Sequence, residues 1–193
     1  MTSRDKILTA VMLNQPELTA LPTLSFPEEE GINPIEKFIT TLTGIGGQVI
    51  NVSGYDAIKN HISKTTNPNT RLITNITVLD DIAEMLIEHP GSLQDVELAI
   101  IKAHFGVAEN GAVWVTEDAL GGHRVLPFIC QHLAVVLSAN DIVADMHRAY
   151  ERIGDDAYGF GTFIAGPSKT ADIEQSLVLG AHGARSMTVF LMK

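Results

Sequence analysis

The residues with the clearest chemical potential lie in one short stretch, Gly166–Thr170, which reads GPSKT. Gly166 allows a positive φ angle or close approach of a ligand to the backbone. Ser168 and Thr170 supply hydroxyls, and Lys169 supplies a positive charge. If a helix begins at Thr170, its first N–H groups are free to bind a carboxylate or a phosphate. The stretch therefore predicts a small-anion site.

Residues that follow this stretch bear on the same prediction. Asp172 and Glu174 would fall in the first turn of the predicted helix, where they complement the helix dipole and repel an incoming anion. The alternative is that the stretch is only a well-formed loop with Thr170 as the helix cap. Further on, His182 and Gly183 lie in a predicted loop before the last strand. His182 could bind a ligand there, or cap the final carbonyls of the helix.

A second candidate group is the turn Glu109–Gly111, in which Asn110 and Gly111 form the Asn-Gly pair typical of hairpin turns. Glu109 could be a site carboxylate aimed at the loop that holds Ser168. The alternative is a solvated acidic residue beside a tight turn. Because both blocks lie at the ends of elements, we expect them to converge on one cleft.

Arg124 and His132 flank a turn that contains Pro127. An arginine there could clamp a carboxylate with two parallel hydrogen bonds, or it could form an ordinary surface pair. No histidine or cysteine spacing in the chain matches a metal site, so none is predicted. The residue order supports no Ser-His-Asp assignment. The catalytic residues, if there are any, stay unknown at this level.

The composition excludes several classes of protein. The chain has 193 residues and a formal net charge of −10, and its lysines and arginines are scattered, so a nucleic-acid surface is not expected. Cys130 is the single cysteine, which fits a reducing compartment and cannot ligate an iron–sulfur cluster alone. No apolar run approaches the roughly 20 residues of a membrane span. We expect a cytoplasmic protein with no membrane span and no cofactor of its own.

The elements that must position these residues follow from hydrophobic periodicity. An amphipathic helix is predicted at Ser3–Asn14, then a linker arm to Gly31, and then a helix that Asn33 caps and Gly44 ends. Beyond this, strands and helices alternate, as in a parallel sheet. Strands are predicted at Gln48–Val52, Arg71–Asn75, Val96–Ile101, Phe105–Ala108, Ala112–Thr116, His132–Leu137, Tyr158–Ala165 and Met187–Met192, and helices at Tyr55–Ser63, Leu79–His89 and Asn140–Ile153.

This order predicts an α/β fold, with a mostly parallel sheet flanked by helices and a β-hairpin insertion. Two parts are expected, an N-terminal helix and linker arm (residues 1–31) and an α/β domain (residues 32–193). Gly166–Thr170 would follow a sheet strand at its carboxyl end, the edge where ligands bind in open α/β sheets.

Three blocks resemble a known family. GPSKTADIEQSLVLGAHGARSMTVFLM (residues 166–192) is similar to the C-terminal signature of the lactate-utilisation (LUD) domain family. FGVAENGAVWV resembles the family's Ala-Glu-Thr-Gly hairpin, with Asn110 in place of threonine, and RVLPFICQHLAVVL resembles its arginine-to-histidine block. After His182 the chain reads Gly-Ala-Arg-Ser where the family has Gly-Pro.

The resemblance implies a fold like that of the sugar-phosphate isomerase and CoA-transferase superfamily. It also implies a non-redox or accessory role in a complex that oxidises L-lactate to pyruvate, with the iron–sulfur clusters on partner subunits. Two alternatives stay open, a stand-alone isomerase or ligase and a regulatory module, either of which would bind a carboxylated or phosphorylated metabolite. Whether this chain is an enzyme is not decided by its sequence.

Overall fold

The structure is a computed structural model that describes residues 2–20, 22, 31–85, 90–171 and 177–193. Its internal contacts divide the chain into Met1–Gly31 and Ile32–Lys193. In the first unit, helix α1 (Ser3–Leu13) begins with a capping box in which Thr2 and Asp5 satisfy each other's backbone N–H groups. The helix predicted there is confirmed, but its residues are all exposed.

In the second unit, six parallel strands form the main sheet, in the order β1-β12-β7-β4-β2-β3. The strands are β1 (Gln48–Val52), β2 (Leu72–Thr74), β3 (Glu84–Met85), β4 (Leu98–Lys102), β7 (His132–Ser138) and β12 (Ser186–Met192). The predicted α/β fold with a mostly parallel sheet is confirmed. The longest strands, β7 and β12, pair in the interior of the sheet, which suits their apolar sequences.

Helices cover both faces of this sheet. Helix α2 (Pro34–Gly44) is capped by Asn33 and buries Phe38 and Leu42 against the face that carries Met187, Val189 and Leu191. Helix α3 (Tyr55–Thr65) buries Ile58 and Ile62 against the opposite face, which carries Val136 and Phe190. Burying each such side chain contributes on the order of 2 kcal/mol, so the two helices fix which strand residues face which side.

A second, four-stranded sheet has the order β8-β5-β6-β9. It contains β5 (Phe105–Val107), β6 (Ala112–Thr116), β8 (Ile142–Val143) and β9 (Gly161–Ile164). Strands β5 and β6 form the predicted hairpin around the Asn-Gly turn. Helix α4 (Leu126–Ile129) precedes β7, and helix α5 (Met146–Ile153) packs its Ala149 and Ile153 with the aromatic side chains of this smaller sheet.

Three predicted helices are wrong in whole or in part. The one predicted at Leu79–His89 is a 3₁₀ turn at Thr77–Leu79 followed by edge strand β3, and residues 86–89 lie outside the described part. Leu79 and Ala83 are both buried at helical spacing, which explains the false pattern. The helix predicted at Asn140–Ile153 begins only at Met146, because the preceding residues form a 3₁₀ turn and β8.

The strand predicted at Tyr158–Ala165 is the shorter β9, and it pairs antiparallel with β6 in the smaller sheet. The helix predicted from Thr170 is also wrong. Strands β10 (Lys169–Ala171) and β11 (Leu177–Leu179) pair antiparallel there instead. Among the helices of the described ranges, none is both long and apolar enough to cross a membrane.

Candidate functional site

The two halves of the glycine-rich signature lie side by side. The backbone N–H of Ser168 donates to Ala184 O at 2.8 Å, and the N–H of Gly180 donates to Ser168 O at 3.1 Å. A Cβ atom added to Gly183 would lie 3.2 Å from the Ser168 Cβ atom, so only glycine permits this approach without adjustment. The sequence-predicted residues Gly166, Ser168, Lys169 and Gly183 are therefore brought together.

The expected anion site at a helix start is not formed by Thr170. This residue pairs with Val178 in the β10–β11 ladder, so the stretch offers no free first turn of a helix. The Lys169 ammonium donates to the carbonyl of Ile45, next to the end of α2, rather than standing open for a ligand. Asp172, which was also predicted to belong to the site, lies outside the described residues.

The position of the loop relative to the main sheet also differs from the prediction. Ser168 is bonded to Ala184, two residues before β12 begins. Gly166 has a φ of +70°, and its added Cβ would lie 3.2 Å from Ile45, three residues before β1 begins. The loop therefore lies at the amino ends of these parallel strands, and not at the carboxyl ends where ligands usually bind in open α/β sheets.

The hairpin turn packs on the same helix, one turn earlier. The Asn110 side chain accepts a hydrogen bond from Ala112 N at 3.0 Å, which shapes the turn. Gly111 lies against the backbone of Leu42, near the end of α2. Glu109 does not face the signature loop, because its Oε2 atom accepts the N–H of Met146 at 2.9 Å and so helps to start α5.

Arg124 does clamp a carboxylate, but the carboxylate belongs to this chain. Its Nε and Nη2 atoms donate to the two oxygens of Glu117 at 2.8 and 2.9 Å, and its guanidinium stacks on the ring of Phe160 at 5.3 Å. Hydrogen bonding to Arg124 lowers the pKa of Glu117, and the same pair raises the pKa of Arg124. Arg124 thus forms a structural ion pair with Glu117. The contacts of His132 are with other residues.

His132 instead belongs to a cluster at the amino ends of three strands, β12, β7 and β4. Its Nδ1 atom lies 2.7 Å from the Ser186 hydroxyl, a hydrogen bond in which the hydroxyl donates when Nδ1 carries no proton. Its Nε2 atom lies 3.5 Å from Glu97 Oε1. All three side chains are half-buried or exposed, so solvent and small molecules can reach them.

This cluster opens onto a cleft of about 520 Å³ at the amino ends of the parallel strands, on the face that α3 covers. Hydroxyl, amide and imidazole groups line most of it. The lining residues are Gln48, His61, Ile62, Thr65, Thr66, Asn67, Thr70, Glu97, Leu98, His132, Ala134, Ser186, Thr188 and Phe190. We call it the amino-edge cleft. His182 is exposed in the loop four residues before Ser186.

Sequence reasoning singled out His132 but missed Ser186, Glu97 and Gln48. The signal that was available is that each lies within one residue of the start of a predicted parallel strand. Parallel strands in register bring their first residues into one row, so polar residues at successive strand starts become neighbours. The sequence does not show the strand order β1-β12-β7-β4, and this order determines which strand starts are neighbours.

A second cleft, of about 420 Å³, lies beside the smaller sheet and includes His104, Trp114, Arg152 and Tyr158 in its lining. His104 Nε2 and the Thr116 hydroxyl are 2.6 Å apart. Burial lowers the pKa of His104, and the positive charges of Lys102 and Arg152 lower it further. The imidazole is therefore held toward its neutral form.

The described residues carry no group of three or more His, Cys, Asp or Glu side chains placed to hold a metal ion. Cys130 is 1% exposed, and burial raises the pKa of its thiol to about 12. A thiol in this state is neither a nucleophile nor a metal ligand at neutral pH. The chain therefore does not fit an iron–sulfur cluster.

The parallel sheet with helices on both faces, together with a small mixed sheet, defines an α/β protein. Its sequence matches the model of the LUD domain over residues 88–192, more than half of the chain. The chain belongs to the LUD domain family, and the resemblance predicted from its sequence is confirmed.

Curated relatives share part of this chain. "Lactate utilization protein C" of Bacillus pumilus (strain SAFR-032) is 32% identical over 91 residues, which are 44% of this chain and 38% of that protein. "Lactate utilization protein C" of Oceanobacillus iheyensis is 28% identical over 105 residues, 51% of this chain and 45% of that protein. The chain thus spans less than half the length of these curated relatives.

A solved structure shares the fold. A DUF162 family protein from Deinococcus radiodurans superimposes with a TM-score of 0.60 and 16% sequence identity, covering 83% of this chain and 96% of that one. At this identity the likeness concerns the fold alone.

Proposed function

We propose that this chain acts in lactate utilisation, as a non-redox subunit or accessory protein of a complex that oxidises L-lactate. The observation that carries the proposal is the similarity of about half of the chain to proteins named lactate utilization protein C. The chemistry of the chain supports the non-redox part. Its single cysteine is buried and protonated, so electron transfer would rest on iron–sulfur clusters of partner subunits.

Within such a complex, the family signature would have a structural task in this chain. The signature loop joins the end of α2 to the start of β12 through Lys169 and Ser168. The hairpin turn seats Gly111 on the same helix. Both blocks therefore hold α2 against the sheet. A partner subunit would bind the surface that this arrangement supports.

The proposal is tested by deleting the gene and measuring growth on L-lactate as the carbon source. We expect slow growth on L-lactate and normal growth on pyruvate, with recovery when the full chain is supplied on a plasmid. A tagged chain recovered from cytosol of L-lactate-grown cells should carry cysteine-rich partners with iron and acid-labile sulfide, and an untagged strain is the control. Unchanged L-lactate oxidation in the deletion strain would contradict the role.

A second candidate is a stand-alone isomerase or ligase, or a regulatory module, that binds a carboxylated or phosphorylated metabolite. The observation that favours it is the Ser168 hydroxyl beside Gly183, close to the exposed His182. Thermal shift with lactate, pyruvate, phosphate and sulfate tests it. Wild type should gain stability with one of these anions, and Ser168→Ala/Thr170→Ala should not. Equal gains in both proteins would remove this candidate.

A further inference from the structure

The cluster in the amino-edge cleft has the composition of an acyl-transfer site. A hydroxyl (Ser186), an imidazole (His132) and a carboxylate (Glu97) stand in series, with gaps of 2.7 and 3.5 Å. In serine hydrolases the imidazole takes the proton of the hydroxyl, and the carboxylate orients the imidazole and stabilises its charged form. The three groups here are ordered for those roles.

The register of the sheet makes this arrangement rigid. Ser186 on β12 pairs with His132 on β7, and His132 in turn pairs with Leu98 on β4, directly after Glu97. Paired residues of parallel strands project from the same face, so Ser186 and His132 share the cleft. Glu97, which precedes β4, also lines it. A site built on central strands keeps its geometry better than one built on loops.

On the other side of Ser186, the sheet supplies two further polar groups. Thr188 lies two residues along β12, on the same face, and it pairs with Gln48 on β1. Both residues line the cleft. The Gln48 amide and the Thr188 hydroxyl line the same cleft as Ser186 and are hydrogen-bond donors of the kind that stabilise a developing oxyanion.

We propose that Ser186 is the nucleophile of an esterase site, with His132 as its general base and Glu97 as the residue that positions His132. The Ser186 hydroxyl attacks the ester carbonyl and its proton passes to His132 Nδ1. The C–O bond to the alcohol then breaks, and His132 returns the proton to the leaving alkoxide. Water, deprotonated by His132, cleaves the acyl-Ser186 ester and releases the carboxylic acid and the free serine. Ester and water thus give acid and alcohol, with no other reactant.

The two imidazole nitrogens have exchanged the partners they have in most serine hydrolases. Here the hydroxyl lies at Nδ1 and the carboxylate at Nε2. Either nitrogen of a neutral imidazole can accept a proton while the other donates, so the roles survive the exchange. Such sites are recognised by geometry and roles and not by position in the chain.

The lining of the cleft selects the class of ester. Its charged or titratable side chains in the described ranges are Glu97, His61 and His132, and no lysine or arginine is among them. An anionic substrate would meet Glu97 without a fixed counter-charge. The apolar residues Ile62, Ala134 and Phe190 form the remaining wall. The site therefore suits small uncharged esters with a short apolar acyl group, and this inference stands independently of the role in lactate utilisation.

The test uses the purified full chain with p-nitrophenyl acetate and p-nitrophenyl butyrate, and a fluorophosphonate probe that labels activated serines. We expect turnover and stoichiometric labelling, with Ser186 identified by peptide mass spectrometry. Ser186→Ala and His132→Ala should each lower kcat/KM by about 100-fold or more. Matched controls are Ser63→Ala and His123→Gln, which remove the same chemical groups outside the cleft and should keep the activity.

The variant Glu97→Gln tests whether Glu97 positions His132 for catalysis or only stabilises the fold. Loss of the carboxylate should lower kcat with little change in KM, because the imidazole is no longer held in position for the reacting hydroxyl. Glu97→Asp should recover part of the rate. Melting temperatures show that each variant is folded. Absence of labelling at Ser186 in the folded wild-type chain, or activity that survives Ser186→Ala, would overturn the proposal.

Discussion

Gly111, at the tip of the β5–β6 hairpin, touches the backbone of Leu42 in α2. Its φ is +69°, and a Cβ atom added there would lie 2.8 Å from Leu42 N and 2.9 Å from Leu42 Cα. This contact ties the smaller sheet to the helix that covers the main sheet, and it leaves no room for a side chain. Because the obstacle is backbone, rotation of a side chain cannot relieve it.

Gly111→Ala should therefore destabilise the protein by about 3 kcal/mol, since left-handed strain adds roughly 1–2 kcal/mol and overpacking a further 1–3 kcal/mol. Gly122→Ala is the matched control, because Gly122 has a φ of +81° and nothing lies within 4 Å of its added Cβ. The free energy of unfolding of this variant should fall only by the cost of left-handed strain, about 1 kcal/mol. Urea unfolding measures both, and equal losses would show that the contact with Leu42 contributes nothing.

Cys130 should be inert in the folded protein. Its thiol is 1% exposed and has a pKa of about 12, so the reactive thiolate is scarce at pH 8. We expect no reaction with a disulfide reagent such as DTNB until denaturant unfolds the chain, and then release of one thiol. A Ser63→Cys variant, which adds an exposed cysteine on α3, should react at once in the native state. Rapid native labelling of Cys130 itself would contradict its burial.

His104 should make the protein less stable in acid. Its pKa is lowered in the folded state by burial and by the charges of Lys102 and Arg152, so the unfolded chain binds more protons. The free energy of unfolding should thus be unaffected above the ordinary histidine pKa, about 6.5, and should fall as the pH drops below it toward the folded value.

His104→Gln should remove this part of the pH dependence, because glutamine keeps a polar group near Thr116 but does not titrate. The measurement is urea unfolding of both proteins at pH 8 and at pH 5.5, with the difference at pH 8 as the baseline. The variant should lose less stability than wild type between the two values. An equal loss in both would assign the acid sensitivity to other groups.

Arg124→Gln should raise the pKa of Glu117 toward its ordinary value, because hydrogen bonding to the guanidinium is the main cause of its lowering. Carboxyl titration by NMR measures this pKa directly. Arg124→Lys is the informative comparison, since it keeps the charge but loses the two parallel hydrogen bonds. It should give an intermediate value. A Glu117 pKa that stays low in Arg124→Gln would show that the pair is not its cause.

Several elements could be read from the sequence because their signals are local. Asn33 and Pro34 begin α2, the Asn-Gly turn forms the hairpin, and the apolar run at the C-terminus is the interior strand β12. The family could be recognised because its signature is a contiguous block. Each of these depends on residues that are close together in the chain, where capping, turn and burial preferences act directly.

The end of the signature shows where local signals fail. The stretch after Ser168 has helical spacing, yet Lys169–Ala171 pairs antiparallel with Leu177–Leu179. Ser168 uses its N–H and its carbonyl to bond Ala184 and Gly180, and these contacts continue the extended backbone. Tertiary hydrogen bonding outweighs a helical preference of a few tenths of a kcal/mol per residue.

The sequence by itself determined the α/β class, the family, the hairpin turn and the presence of a single cysteine that cannot hold a cluster. Tertiary structure decided which chemical groups meet. Glu109 accepts a hydrogen bond at the start of α5, and Arg124 pairs with Glu117. His132 contacts Ser186 and Glu97. The physical reason is that strand order is a non-local property. Ser186 and His132 are separated by 54 residues, and only the pairing of β12 with β7 makes them neighbours.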